Sequence, residues 1–239
     1  MRSLLLLLLL SAPAPALAAP PCQVVSMPTS DGLTLQADHC PAGVDGAPVV
    51  VLLHMIPPHH DRSNYPPAFR QALQEAGFSV LNLDRRGAGG SQGVAKEAYT
   101  GPKGKLDVAA ARAFLATAEP TADLGRWACV GASNGTTSCL DYSLWAAAEE
   151  PASVPRALVF LTGGTYTETN AALEGSAVSK LPVLFAFNEG EKAWSESHRA
   201  GGPAWEHRSW APGGHGTKAF GPNPEAMKDV VDFLTRSVR

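Results

Sequence analysis

The sequence predicts an α/β protein built on a mostly parallel sheet of about eight strands, and three observations support that class. Short runs of apolar residues without polar alternation recur along the chain, which is typical of strands buried on both faces. Stretches of helical length, one of them rich in alanine, lie between these runs. Near the start, two apolar stretches flank Ser30-Asp31-Gly32, a turn signal that predicts an antiparallel hairpin at one edge.

Predicted strands and helices alternate along most of the chain. The short apolar runs are predicted to be strands, and the longer segments between them are predicted to be helices. The predicted strands are Val24 to Met27, Leu33 to Ala37, Val49 to Leu53, Phe78 to Leu83, Trp127 to Val130, Ala157 to Leu161, Val183 to Phe187 and Trp205 to Trp210. The predicted helices are Tyr65 to Ala76, Lys105 to Ala118, Asn134 to Ala148, Ala193 to His198 and Pro224 to Ser237. We expect helices on both faces of the sheet, and chemistry at the carboxyl ends of its strands.

Length and charge exclude several classes of protein. The chain has 239 residues, of which 45% are hydrophobic and 17% charged, with a formal net charge of −3. This composition suits one globular domain that buries about three-quarters of its unfolded surface. The negative charge and the lack of a basic cluster in the sequence argue against a nucleic-acid partner.

Residues 1–18 have the organisation of a signal peptide. Arg2 supplies a positive charge, Leu4 to Leu10 form an apolar run, and Ala16-Leu17-Ala18 offers small residues to a signal peptidase. We expect cleavage after this segment, which leaves residues 19–239 as a single domain that is secreted or periplasmic. The leucine run is too short to cross a bilayer, and no later stretch reaches roughly 20 apolar residues, so no membrane span is expected.

The four cysteines of an exported chain suggest two disulfides. Cys22 and Cys40 each lie nine positions from Asp31, so closing the hairpin at its turn brings them opposite each other. A bridge there would stabilise the fold by about 3 kcal/mol in the loop-entropy model. Cys129 and Cys139 fall on a predicted strand and the helix after it, where a bridge is slightly favoured over two buried free thiols.

The segment Gly131-Ala132-Ser133-Asn134-Gly135 fits the pattern G-x-S-x-G between a predicted strand and a helix. Glycines two positions on either side of the serine allow a sharp turn, which lifts the hydroxyl clear of the sheet and aims the helix N-terminus at it. The pattern therefore predicts Ser133 as a nucleophile. The less favoured alternative is a tight turn in which Ser133 only caps the helix.

A serine nucleophile needs a base, and the sequence contains seven histidines. Only His215 lies in a glycine-rich loop after the last predicted strand, which gives the order serine, acid, histidine. An exposed loop histidine is the alternative. His54 also ends a strand and is expected to shape the loop that follows. The adjacent His59 and His60 could suggest metal binding, but no cysteine or second histidine lies at ligand spacing, so a solvated loop is favoured and no metal site is predicted.

The base in turn needs a carboxylate to orient it. Glu189 and Glu191 both follow the strand that ends at Phe187. Glu191 is the preferred acid because it lies further into the loop, and Glu189 is the alternative. Asp84 also follows a strand but precedes the serine, and we expect it to be an ion-pair and turn residue of the loop after it.

These motifs resemble the α/β-hydrolase superfamily, in particular its small, lidless, dienelactone-hydrolase-like members. The resemblance extends from Val49 through Leu234. It rests on Val50-Val51-Leu52-Leu53-His54, Leu83-Asp84-Arg85-Arg86-Gly87-Ala88-Gly89-Gly90-Ser91, the turn around Ser133, Pro182-Val183-Leu184-Phe185 with Glu191, and Gly214-His215-Gly216. Two residues depart from the family pattern: Glu191 replaces a commoner Asp, and Met55 stands where the His-Gly motif has glycine.

The resemblance implies an α/β-hydrolase fold and acyl transfer through a serine ester, with no cofactor. It also implies an oxyanion hole, in which one backbone N–H comes from Asn134 and the other from Ile56 or, as the second choice, Met55. Pro57 and Pro58 have no N–H to donate.

The length of one connection limits the size of the site's cover, and so the class of substrate, but does not identify the natural substrate. Only about twenty residues separate Leu161 from Leu181, where this superfamily inserts its lid, so no cap domain is expected. An open site suits small-molecule esters, lactones or thioesters. Several aromatic residues could line an acyl pocket, although a place in the core is the favoured alternative for them: Trp194, Trp205, Trp210, Phe220 and Tyr166.

Two other functions fit the same sequence. One is a catalytically silent binding protein with this fold, for which Met55 and the Glu191 replacement are the only hints. The other is a serine peptidase of this fold, which the missing cap or propeller disfavours.

Overall fold

A computed structural model describes residues 19–164 and 173–239 of the chain. The predicted signal peptide and Tyr166 lie outside the described residues. The strands are β1 (Gln23–Pro28), β2 (Thr34–Cys40), β3 (Pro48–Leu53), β4 (Ser79–Leu83), β5 (Asp123–Ala132), β6 (Ala157–Leu161), β7 (Val183–Asn188) and β8 (Trp205–Trp210). The helices are α1 (Pro67–Glu75), α2 (Gly104–Ala118), α3 (Gly135–Glu149), α4 (Ala193–Ser197) and α5 (Pro224–Val238).

The strands form an eight-stranded sheet in the order β1-β2-β4-β3-β5-β6-β7-β8. Strand β2 pairs antiparallel with both β1 and β4, and the pairs from β4 through β8 are parallel. The predicted fold class, a mostly parallel sheet with an antiparallel hairpin at one edge, is therefore confirmed.

Helices cover both faces of the sheet, which explains the uninterrupted apolar runs. Val51 of β3 belongs to the core layer that contains Leu115 of α2 and Leu140 of α3. Its neighbour Leu52 points to the opposite layer, which contains Phe233 of α5. Since successive residues of one strand face opposite layers, all of them must be apolar. Within the described residues, no helix combines the length and apolar character needed to cross a membrane.

Both predicted disulfides are present. The β1–β2 register pairs Gln23 with His39 and Pro28 with Thr34, which centres the hairpin on Asp31 as expected. The hairpin disulfide joins Cys22 to Cys40, whose Cα atoms are 4.1 Å apart. A second disulfide, between residues 129 and 139, joins β5 to α3, with a Cα–Cα distance of 5.7 Å.

The starts of two elements differ from the prediction by two residues or more. Helix α1 begins at Pro67 and not at Tyr65, whose extended backbone has φ −88° and ψ 109°. The two prolines that follow Tyr65 account for this, because a residue before proline avoids the helical region. Strand β5 begins at Asp123, four residues before the predicted start at Trp127. Residues 123–126 are partly buried or exposed, and Asp123 pairs with Pro48 before a register shift, so no apolar run marks this part of the strand.

Candidate active site

Ser133 lies at the turn between β5 and α3, in the left-handed region, with φ 50°. A non-glycine residue in this region costs about 1–2 kcal/mol, so the surroundings must hold it there. A Cβ on Gly131 would lie 2.5 Å from the backbone nitrogen of Thr136, and one on Gly135 would lie 2.4 Å from the carbonyl oxygen of Leu53. Only glycine fits at these two positions, which is why the motif allows such a sharp turn.

The side chains of Ser133, His215 and Glu191 form one hydrogen-bonded chain. His215 Nε2 lies 2.6 Å from Ser133 Oγ, and His215 Nδ1 lies 2.8 Å from Glu191 Oε1. A carboxylate can only accept, so the ring proton is on Nδ1 and Nε2 is an acceptor. This arrangement suits a base that removes a proton from the serine hydroxyl.

Of the two candidate acids, Glu191 contacts the histidine. Asn188 orients it, since its Nδ2 donates to Glu191 Oε2 while its Oδ1 accepts from the N–H of Gly190 at 2.8 Å. Glu189 is exposed and bonds elsewhere, to Lys192 Nζ at 3.2 Å. Hydrogen bonds from the Ser209 and Lys192 side chains hold the pKa of Glu189 below its ordinary value.

The loop that carries His215 is fastened to the end of β6. The N–H of Gly216 donates to Thr162 Oγ1 at 3.0 Å, and Thr162 has a left-handed backbone with φ 49°. Met55 is buried beside this loop, and a Cβ on Gly216 would lie 2.8 Å from its Sδ atom. The Met55 thioether thus fills the space between the strand ends and the histidine loop.

His54 holds the loop that contains two of the predicted oxyanion donors. Its Nε2 accepts from the backbone N–H of Arg85 at 2.9 Å, so Nδ1 carries the proton and donates to the carbonyl oxygen of Met55 at 2.7 Å. Burial lowers the pKa of His54 to about 3, which keeps the ring neutral. The Met55 carbonyl and the Ile56 N–H belong to one peptide group, so His54 sets the direction of that N–H. This agrees with the expected role of His54 in shaping the loop.

The peptide group that carries the N–H of Asn134 is held in the same way. Its carbonyl, on Ser133, accepts from the N–H of Thr136 at 3.1 Å and from the Thr136 hydroxyl at 2.7 Å. Asn134 also precedes the first turn of α3, where the helix dipole favours negative charge. The Asn134 N–H is therefore fixed next to the serine, as an oxyanion donor requires.

Asp84 is buried and takes the structural role predicted for it. Its carboxylate accepts from the backbone N–H groups of Arg62 and Gly90, each at 2.8 Å, and forms an ion pair with the Arg62 side chain. It contacts neither Ser133 nor His215 among the hydrogen bonds of the described residues.

The described aromatic residues that were candidates for an acyl pocket lie in two different places. Trp210 donates to Asp229 Oδ2 at 2.9 Å, and Phe220 lies 4.8 Å from the Phe69 ring, so both belong to the core. Trp194 and Trp205 are partly buried around Phe185, at centroid distances of 5.7 and 5.4 Å.

No group of three or more His, Cys, Asp or Glu side chains in residues 19–164 and 173–239 is arranged to hold a metal ion. His59 is exposed and His60 is half-buried in the loop after β3.

Three residues of the site were not assigned from sequence: Thr162, Asn188 and Arg85. Thr162 and Asn188 are polar residues at the ends of buried strands, a position that could have marked them as part of the site. Arg85 lies in a quoted motif, but only its contacts with His54 and Asn134 reveal its place behind the serine turn.

No family model matches the chain, and no curated protein matches it. Solved structures do. The chain aligns with the esterase Pf2001 of Pyrococcus furiosus at a TM-score of 0.70 and 18% identity, covering 92% of each chain. The α/β hydrolase GrgF of a Penicillium species gives a TM-score of 0.68 at 17% identity, covering 92% of this chain and 99% of that one. A dienelactone hydrolase of Anabaena variabilis gives 0.63 at 16% identity, covering 92% and 97%. The chain therefore has the α/β-hydrolase fold.

Proposed function

We propose that this chain is an exported serine hydrolase that cleaves small carboxylic esters, lactones or thioesters. Ser133 is the nucleophile, His215 the general base and Glu191 the acid that orients it. The hydrogen-bonded chain of these three side chains, with distances of 2.6 and 2.8 Å, is the observation that supports the proposal most directly.

The reaction follows from this geometry. His215 Nε2 takes the hydroxyl proton as Ser133 Oγ attacks the substrate carbonyl, and Glu191 stabilises the imidazolium that forms. The N–H groups of Asn134 and of Ile56 or Met55 donate to the oxyanion of the tetrahedral intermediate. The intermediate collapses, and the leaving group departs with the proton from His215. Water then attacks the acyl-enzyme with His215 as base, which releases the acid and restores the serine.

The exposure of the site supports small, soluble substrates. The side chains of His215 and Glu191 are 38% and 40% exposed, so the base and the acid lie at an open edge of the sheet. The names esterase and dienelactone hydrolase, carried by structures of the same fold, favour carboxylic esters and lactones within the proposal.

Export is supported by the two disulfides, because such bridges persist in oxidising compartments. It also agrees with the signal peptide predicted for residues 1–18. An N-terminus at Ala19 in protein recovered from an exporting host would bear out the cleavage site.

A substrate panel tests the activity. The purified protein is assayed with p-nitrophenyl acetate, butyrate and octanoate, a δ-lactone, an acyl thioester and a peptide p-nitroanilide, alongside the Ser133→Ala variant. We expect turnover of the short esters, abolished in the variant. Cleavage of the anilide alone would assign a peptidase, and no turnover of any substrate would favour a silent binding protein.

A further inference from the structure

Arg85 is a fully buried cation directly behind the serine turn. Its Nη1 donates to the Asn134 side-chain oxygen at 2.7 Å and to the His54 carbonyl at 3.3 Å. Its Nη2 donates to the Ala98 carbonyl at 2.7 Å and to Ser138 Oγ at 2.9 Å. All four of these acceptors are neutral oxygens. A buried charge held by neutral groups carries a large desolvation cost, so its location needs an explanation.

The neighbouring Arg86 shows what a purely structural arginine looks like in the same loop. It is equally buried, but it donates to the carboxylates of Asp107 and Asp31 at 2.7 and 2.8 Å. Its charge is neutralised by direct ion pairs. Among the described residues no carboxylate forms a direct ion pair with Arg85, although the more distant negative charges of Asp107 and Asp141 favour its protonated form.

The acceptors of Arg85 Nη1 belong to the two segments that carry the candidate oxyanion donors. The His54 carbonyl and the Met55 N–H form one peptide group, and a hydrogen bond to that carbonyl polarises the group and strengthens its N–H as a donor. Asn134 carries the N–H on the other side. The backbone N–H of Arg85 also holds the His54 ring, which in turn fixes the peptide group of Ile56. Arg85 is thus connected to the peptide groups that carry the Met55 and Ile56 N–H groups, and to the side chain of Asn134.

We propose that Arg85 is a positioning residue that holds the two halves of the oxyanion hole in register and places a positive charge behind them. The inference rests on the proposed function, since it concerns the transition state of that reaction. Burial lowers the pKa of Arg85 to about 10, so the guanidinium remains charged at neutral pH. Because the oxyanion forms only during reaction, this charge favours the transition state over the bound substrate.

The test compares Arg85→Lys with Arg86→Lys, a matched change at an equally buried arginine of the same loop. Lysine keeps the charge but cannot span two acceptors with a planar fork. For Arg85→Lys we expect kcat on a p-nitrophenyl ester to fall about 10- to 100-fold, with KM within about two-fold. The inhibition constant of a trifluoromethyl ketone, whose adduct carries an oxyanion, should rise by a similar factor. Arg86→Lys should lower the melting temperature and leave kcat within about two-fold, since its partners Asp107 and Asp31 belong to neither segment that carries the candidate oxyanion donors.

A second variant keeps the test decisive if Arg85→Lys does not fold. Asn134→Ala retains the backbone N–H but removes one of the two acceptors of Arg85 Nη1, so it should also lower kcat with little change in KM. Where both variants fold, their effects should not add, because they break one connection. Provided that the wild-type enzyme turns over ester, two outcomes would overturn the inference. One is a kcat equal to that of the wild type in Asn134→Ala and in Arg85→Lys, if the latter folds. The other is an equal loss of kcat in Arg85→Lys and Arg86→Lys. A wild-type protein that turns over no ester, and whose Ser133 does not react with a fluorophosphonate, would overturn the proposed function as well.

Discussion

His215 Nε2 lies 2.6 Å from Ser133 Oγ, although 82 positions separate the two residues in the chain. Ser133 follows β5 and His215 follows β8, so the histidine loop must reach across the ends of β6 and β7. Thr162 and Glu191, which follow those two strands, each bond to the histidine loop on the way. The site is therefore assembled from consecutive strand ends at one edge of the parallel sheet.

The acid is tested by comparing two glutamates of one loop. Glu191→Gln should lower kcat on an activated ester by up to about 10⁴-fold, because glutamine stabilises the wrong imidazole tautomer. Glu189→Gln, the matched control, should stay within about two-fold, since it loses only an exposed ion pair with Lys192 and a hydrogen bond with Ser209. Steady-state kinetics with circular dichroism on both variants would measure this. The reverse ranking would assign the role to Glu189, and normal activity in both would point to another strand end, with Asp84 tested next.

The serine turn should not tolerate a side chain at Gly135. A Cβ there would lie 2.4 Å from the Leu53 carbonyl oxygen and 2.7 Å from that of His54, and neither backbone atom can move without disturbing β3. Gly135→Ala should lower the free energy of unfolding by about 3 kcal/mol or more. Gly101→Ala has nothing within 4 Å of the new Cβ and is the control. Urea denaturation of both variants measures the difference, and equal stabilities would mean that the turn is looser than described.

His54 should contribute to acid denaturation. Burial lowers its pKa from the ordinary 6.5 to about 3, so between these pH values the unfolded chain binds a proton that the folded chain excludes. The free energy of unfolding therefore falls as the pH decreases through this window, by about 1.4 kcal/mol per pH unit from this residue. In urea denaturation at pH 6.5, 5.5 and 4.5, His54→Gln should show a shallower dependence than the wild type. An unchanged slope in His54→Gln would contradict the account.

The disulfide between β5 and α3 should matter for activity as well as for stability. Cys129 and Cys139 bracket the serine turn and are 10 positions apart in the sequence. Replacing both by alanine should lower the free energy of unfolding by about 3 kcal/mol. The kcat should fall several-fold, because the covalent link between the two sides of the serine turn is then absent. The hairpin pair, Cys22 and Cys40, is the matched control, since its removal should cost a similar free energy and leave kcat unchanged. If both double variants keep full kcat well below their melting temperatures, the disulfide between β5 and α3 has no effect on catalysis.

Much of the fold could be predicted because its signals are local. The strands β6 and β8 begin and end where their residue patterns indicate, since turn-forming and polar residues bound them on both sides. The start of α1 was misplaced because the apolar pattern reaches Tyr65, while the two prolines after it keep the backbone extended. Local steric rules outweighed periodicity there.

The site was predictable only where a residue carries its own signature. Ser133 and His215 are marked by glycines whose spacing reflects backbone geometry, so the sequence alone is enough to recognise them. The sequence favours Glu191 over Glu189 but cannot exclude Glu189. The two residues lie in one loop, and the sequence does not show which side chain points towards His215. Arg85 has no such signature, since its role depends on contacts with segments distant in sequence.

The central claim, that Ser133 is an activated nucleophile, is tested most directly by its reaction with a fluorophosphonate. The folded protein and the Ser133→Ala variant are incubated with the probe, and intact mass spectrometry with peptide mapping locates the adduct. We predict one adduct per chain, on Ser133, and none in the variant, because the hydroxyl bonded to His215 is the group that attacks phosphorus. A folded wild-type protein that takes up no probe, or a variant that is labelled to the same extent, would contradict the account.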